Sequence, residues 1–136
     1  RAVYEVVLAA NRAVAAAARP GVTLSGLNEI CKQVLAEGCM KLGLIDSAEK
    51  IGTYYMHGVS HHLGIDVHDV SAGRDEPLKP GAVITDEPGL YIDEWEIGIR
   101  IEDDLLICED GCEVLSADVI READEIEAFM AQAKQE

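Results

Sequence analysis

The stretch Met56-His57-Gly58-Val59-Ser60-His61-His62-Leu63-Gly64-Ile65-Asp66-Val67-His68-Asp69 holds all four histidines of a 136-residue chain. Four imidazoles this close together, with none elsewhere, mark either a metal-binding tract or a polar loop. Gly58 and Gly64 disfavour a long helix here, so a zinc helix with its ligands one turn apart is a poor explanation. No Glu follows His57, which removes the helical metalloprotease motif as well. The segment reads as loop or extended chain, and its neighbours decide the architecture around it.

Upstream, the texture is helical. Residues 2–18 are Ala-rich, with Val3, Val6, Val7, Ala10, Val14 and Ala17 on a helical period. Arg19-Pro20-Gly21 ends that run, because proline removes a donor and glycine permits the turn. A second helix is predicted over 25–42, where Leu27, Ile30, Cys31, Val34 and Leu35 fall at i, i+3, i+4, i+7 and i+8. Gly43 suits its C-terminal cap. Residues 44–50 are polar and read as a loop.

Downstream, glycines and β-branched residues replace the helical period. Val83-Ile84-Thr85 reads as a strand, and so does 98–108 with its apolar run Leu105-Leu106-Ile107. Glu113-Val114-Leu115 closes a hairpin through Asp110-Gly111. Residues 124–134 form a last helix whose acidic first turn matches the helix dipole. Two helices, an antiparallel strand region and a final helix make an α+β pattern. There is no internal repeat and no low-complexity tract.

Acids interrupt the apolar strands. Asp86-Glu87-Pro88-Gly89 follows Val83-Ile84, and Glu102-Asp103-Asp104 lies inside the β-forming run 97–107. A carboxylate in such a place is costly to bury unless it is paired or bound to a cation. Simple alternation accounts for Asp93 and Asp104 as solvent-facing residues. It accounts less well for Glu102, which shares a face with Arg100 while Ile99, Ile101 and Asp103 take the other. Imidazole plus carboxylates from separate strands is the donor set of a divalent centre, built from His, Glu and Glu. Without thiolate, Mn, Fe, Co and Zn all fit. Two classes stay open on these residues: a metallohydrolase and a non-haem iron oxygenase.

Composition narrows the partners. The formal charge is −15, and all of it sits in residues 69–136, where twenty acids face five bases. Residues 1–68 balance six acids against six bases. That argues against nucleic acid, which needs clustered Lys and Arg, and against an anionic membrane surface. A hydrophobic fraction of 49% is too high for a disordered acidic tail. The length suits one domain with a modest core. Cys31, Cys39, Cys108 and Cys112 lack zinc-ribbon spacing and read as reduced thiols of a cytoplasmic protein. No apolar run is long enough to span a bilayer, and no signal peptide is visible. The first residue is Arg1 rather than Met, so a longer parent is expected.

Three segments taken together carry a resemblance: His57 to Asp69, Pro80-Gly81-Ala82-Val83-Ile84-Thr85-Asp86-Glu87-Pro88-Gly89-Leu90-Tyr91-Ile92, and Gly98-Ile99-Arg100-Ile101-Glu102-Asp103-Asp104. In this order and spacing they closely resemble the aminopeptidase P (Xaa-Pro aminopeptidase) family, along essentially the whole chain. The resemblance implies the pita-bread fold and two divalent metals, commonly manganese, held between five ligands. It implies that His61 and Glu87 ligate one metal and that Glu102 bridges both. His57 and His68 match the family's active-site histidines, which position substrate and stabilise charge in the tetrahedral intermediate. Arg100 matches the arginine beside the bridging glutamate. The implied reaction is attack by metal-bound hydroxide on the carbonyl before proline, with Glu87 able to take the proton. The partner is then a peptide with proline at its second position.

The departures shape the expectation as much as the matches. The family's other two ligands are aspartates on a hairpin that precedes the first helix, and no residue here matches them. Asp46 lies in the wrong place. Residues 1–136 are therefore expected to be the C-terminal half of a catalytic domain, holding at most one ion weakly and hydrolysing little alone. Unpaired sheet edges point to self-association as a homo-oligomer. Asp86 stands where an apolar residue is usual; alternation sets it opposite Glu87, and a solvent-facing position is expected. His62 is expected to line the pocket wall without ligating. The alternative reading is a non-catalytic peptide-binding module that keeps the fold and cleft.

Overall fold

The computed structural model describes residues 1–133. Helix α1 spans Ala2–Ala17 and helix α2 spans Leu24–Lys41. The expected stripe of α1 is buried at Val3, Val7, Ala10 and Val14, and Asn11 is buried with it. Thr23 caps α2, its hydroxyl accepting the Gly26 N–H at 3.0 Å, as threonine does at this position. Gly43, at φ 74°, ends the helix in the left-handed conformation and lets the Leu44 N–H return to the Cys39 carbonyl at 2.9 Å. The helices cross tightly at Gly38, where an added Cβ would lie 2.3 Å from Val6 Cγ1. Part of the loop expected at 44–50 is a 3-10 helix, Ala48–Thr53.

Five strands follow: β1 Val83–Asp86, β2 Gly89–Ile92, β3 Ile97–Arg100, β4 Asp103–Ile107 and β5 Cys112–Val114. All pairings are antiparallel, in the orders β1-β4-β5 and β2-β3. The single strand expected over 98–108 is thus two strands, broken at Ile101-Glu102. The register explains the break. Asp86 opposes Asp103 and Gly89 opposes Arg100. The same spacing sets Glu87 opposite Glu102 and Pro88 opposite Ile101. Proline has no N–H for the ladder, so only its carbonyl is used, accepting Ile101 N–H at 3.3 Å. One long hairpin is split into two ladders at the point where its two glutamates face each other.

The histidine segment is laid along the free edge of β1. Leu63 N–H donates to Val83, Thr85 N–H to His61 and Glu87 N–H to Val59, at 3.0, 2.9 and 2.8 Å. A stretch that read as loop or extended chain therefore completes the edge of the sheet. The core between helices and sheet holds Leu27, Leu35, Ile84, Leu90, Ile92, Leu105 and Ile107. Helix α3, Ala123–Ala133, starts near the N-terminal end of α1, where Arg1 pairs with Asp124, and Glu122 just before it pairs with Arg12 of α1. The helix expected over 124–134 agrees as far as it is described; Lys134 lies outside the described residues. All four cysteines are free, and burial pushes the thiols of Cys31 and Cys39 up to about 12 and about 11. Among the described residues no helix is long and apolar enough to cross a membrane.

Candidate active site

Hairpin break and edge segment meet at one place. His61, Glu87 and Glu102 each offer a ligand atom there, and these atoms lie within 4.8 Å of one another. Glu87 is 8% exposed, and such burial of a carboxylate demands partners. It has three. Oε1 lies 3.2 Å from His61 Nε2 and accepts from Thr85 Oγ1 at 3.1 Å, while Oε2 is 3.2 Å from Arg100 Nη1. Glu102 is exposed. Although Arg100 and Glu102 are both near the break, Arg100 turns to Glu87 across the hairpin.

The tautomer of His61 bears on whether a cation fits. Its Nδ1 is 3.1 Å from the His62 carbonyl, an acceptor, so Nδ1 carries the hydrogen and donates it. In the neutral ring Nε2 then presents a lone pair to the Glu87 oxygen 3.2 Å away. Two lone pairs at that distance call for a proton or a metal cation between them. A backbone carbonyl holding the outer nitrogen of a ligating histidine is also the usual support of such a ring. The donor set of one imidazole and two carboxylates suits a divalent ion, so the residues present fit the group that the resemblance implies.

A second chain of contacts builds the wall. His57 Nδ1 donates to the Gly58 carbonyl at 2.9 Å, and its Nε2 accepts from Tyr91 Oη at 2.9 Å. The phenol oxygen accepts from Arg100 Nε at 2.8 Å. His57 thus has both ring nitrogens engaged. Gly89 makes the approach possible, since a Cβ there would sit 2.8 Å from Tyr91 Oη. His68 is exposed, its ring edge-on to His61 with centroids 4.3 Å apart. An open cleft of about 380 Å³ is lined by His57, His61, His68, Glu87, Arg100, Ser60 and Arg74. His62 lies outside it and lines a neighbouring cavity.

Sequence reasoning missed Thr85 and Tyr91. Thr85 had a readable signal, because period two puts it on the face of Glu87. Tyr91 had none; its role depends on the pairing of β2 with β3.

Asp86 requires a correction. Alternation does set it opposite Glu87, but that side is the core beneath α1, not solvent. It is 0% exposed, and neither carboxylate oxygen has a hydrogen-bond partner among the described residues. Burial first, and the facing Asp103 second, push its carboxyl up to about 8. Asp103 itself is well supplied: Arg121 Nη1 at 2.8 Å, Ser116 Oγ at 2.5 Å and Asn11 Nδ2 at 3.1 Å.

The profile of metallopeptidase family M24 matches residues 1–109. The chain belongs to metallopeptidase family M24. Within it the relatives are of the aminopeptidase P kind. The chain is 40% identical to the mitochondrial intermediate cleaving peptidase 55 of Arabidopsis thaliana, covering 93% of this chain and 28% of the relative. It is 39% identical to the Xaa-Pro aminopeptidase of Escherichia coli, covering 100% of this chain and 35% of the relative. The solved Escherichia coli aminopeptidase P with the inhibitor Pro-Leu superposes with a TM-score of 0.93 at 37% identity, over 100% of this chain and 35% of that one. The α+β fold therefore matches part of the aminopeptidase P pita-bread domain, and the chain spans about a third of the length of these relatives.

Proposed function

We propose that the chain is the C-terminal half of the catalytic domain of a Xaa-Pro metallo-aminopeptidase. Such an enzyme releases the N-terminal residue from peptides with proline in second place. The observation that carries this reading is the convergence of His61, Glu87 and Glu102 within 4.8 Å, beside the cleft that His61 and Glu87 line with His57, His68 and Arg100. The chemistry a divalent cation supplies when bound there, manganese first among candidates, is Lewis acidity toward water and carbonyl.

The chain's own groups then divide the work. Glu87 is the carboxylate placed to take a proton. His68, with no side-chain hydrogen bond among the described residues, is free to donate to a carbonyl oxygen as it gains charge. His57, held between Gly58 and Tyr91, shapes the wall against which the substrate rests. The Pro-Leu bound by the Escherichia coli relative supports a proline-containing peptide as substrate. The family's two aspartate ligands have no match in this chain, so it holds at most one cation and turns over little alone. Free strand edges and exposed Ile65, Val70 and Phe129 support self-association as a homo-oligomer.

The test compares this chain with its full-length protein on Xaa-Pro peptides, with and without Mn2+ and after chelation. Cleavage by the full-length protein alone, abolished by chelation, is the expected result. Robust turnover by the isolated chain sinks the half-domain idea. A full-length protein that binds such peptides and never cleaves them is instead the non-catalytic binding module.

A further inference from the structure

We infer that Thr85 is a positioning residue of this centre, one hydroxyl fixing both the backbone that carries His61 and the carboxylate of Glu87. The inference rests on the metal-site reading above and assigns a device within it.

Thr85 opposes His61 across the edge of the sheet. Facing residues of this kind ordinarily exchange two backbone hydrogen bonds. Here only one is a backbone bond, from Thr85 N–H to the His61 carbonyl at 2.9 Å. The return bond, from His61 N–H, ends on Thr85 Oγ1 at 3.0 Å. With that lone pair used, the hydroxyl still has its one hydrogen to give. Glu87 Oε1 receives it at 3.1 Å. The side chain is 1% exposed, so water does not compete for either bond. A β-branched residue is stiff at χ1, which holds Oγ1 where both bonds are made.

The consequence lies in where the two ligand atoms stand. Glu87 Oε2 is drawn toward Arg100 at 3.2 Å. Thr85 draws Oε1 the other way and keeps it 3.2 Å from His61 Nε2. Without the hydroxyl, Glu87 is free to turn both oxygens toward Arg100, and the His61 N–H loses its acceptor. Valine preserves the shape and removes the hydroxyl; serine keeps the hydroxyl and removes the second branch.

The experiment titrates the full-length protein with Mn2+ alone, following free Mn2+ by electron paramagnetic resonance, and repeats it on Thr85→Val and Thr85→Ser. Thr85→Val is expected to weaken Mn2+ binding roughly 10–100-fold, the usual cost of losing a group that orients a metal ligand. Thr85→Ser is expected to restore most of it. Turnover should follow, with kcat falling and KM nearly unchanged. Should Thr85→Val not fold, Thr85→Ser against Thr85→Ala asks the same question, since the two differ only in the hydroxyl. A clear gap in affinity between them supports the inference. Equal affinities for valine and the native residue, or for serine and alanine, overturn it while leaving the metal site intact. Mn2+ binding that His61→Ala leaves unchanged removes the metal-site reading, and this inference with it.

Discussion

Asp86 ends β1 and Glu87 is the next residue, and their surroundings could hardly differ more. Glu87 points to the cleft and meets His61, Thr85 and Arg100. Asp86 points to the core under α1 and meets no hydrogen-bond partner at either oxygen among the described residues. Both are buried. Burial alone therefore does not say what an acid does; its partners do. An ionised group among donors is held ready for use, whereas one without donors is driven toward its neutral form. The cleft side of β1 is organised for charge and the helix side for packing, with Asp86 out of place on the latter.

The largest expected effect breaks the cleft side. In the full-length protein Glu87→Gln should lower kcat/KM by about 10²–10⁴, the range for losing a positioned proton acceptor, with the melting temperature nearly unchanged. Steady-state assays on a Xaa-Pro peptide measure it. Activity within tenfold of native would mean the front of the strand is not where the chemistry is.

On the helix side, Asp103 shows what Asp86 lacks. Arg121 reaches it at 2.8 Å from the segment before α3. Arg121→Ala should cost about 2–3 kcal/mol, toward the lower bound for breaking a buried pair because the arginine is partly exposed. Urea melts would show it as a lowered midpoint at unchanged slope. A negligible shift would mean the two acids of this pair are equivalent after all.

Asp86→Asn sharpens the contrast through pH. The folded carboxyl lies near 8, against an ordinary 3.8, so folding retains a proton that the unfolded chain gives up. The stability this confers is fully present below the ordinary value and is lost as pH rises toward 8. Asparagine does not titrate. The variant should match the native protein at low pH and exceed it by several kcal/mol above pH 8, since about 1.4 kcal/mol accrues for each unit between the two values and the asparagine side chain never carries a charge into the core. Parallel stability curves from pH 4 to 8.5 would contradict the buried, unpartnered acid.

Tyr91→Phe should have the smallest effect. It removes one hydrogen bond to His57 and one from Arg100, and a loss of roughly 3–10-fold in kcat/KM is expected from bonds of ordinary strength. A larger drop would give the phenol a direct part in the reaction.

Much of this could be read in advance, element by element. The stripes of α1 and α2 were legible because a helix reports its buried face within its own periodicity. The histidines and the strand acids were legible as donors because few other residue types supply imidazole and carboxylate. What failed was any statement about the far side of a residue. Alternation correctly separated Asp86 from Glu87, yet a period of two names two faces without saying which is wet. The run 98–108 looked like one strand because nothing within it shows that Pro88, which faces Ile101 across the hairpin, removes a ladder bond.

The residue types therefore settled the donor set and the helices, since each depends on groups or periods carried locally in the chain, and the order of three motifs carried the likeness to the family. Long-range pairing settled the rest. It set Glu87 across from Glu102, laid His61 along the edge of β1, turned Arg100 to Glu87 and closed the core over Asp86. These are consequences of register and packing between distant segments, and a one-residue slip would have put every one of those side chains on the other face.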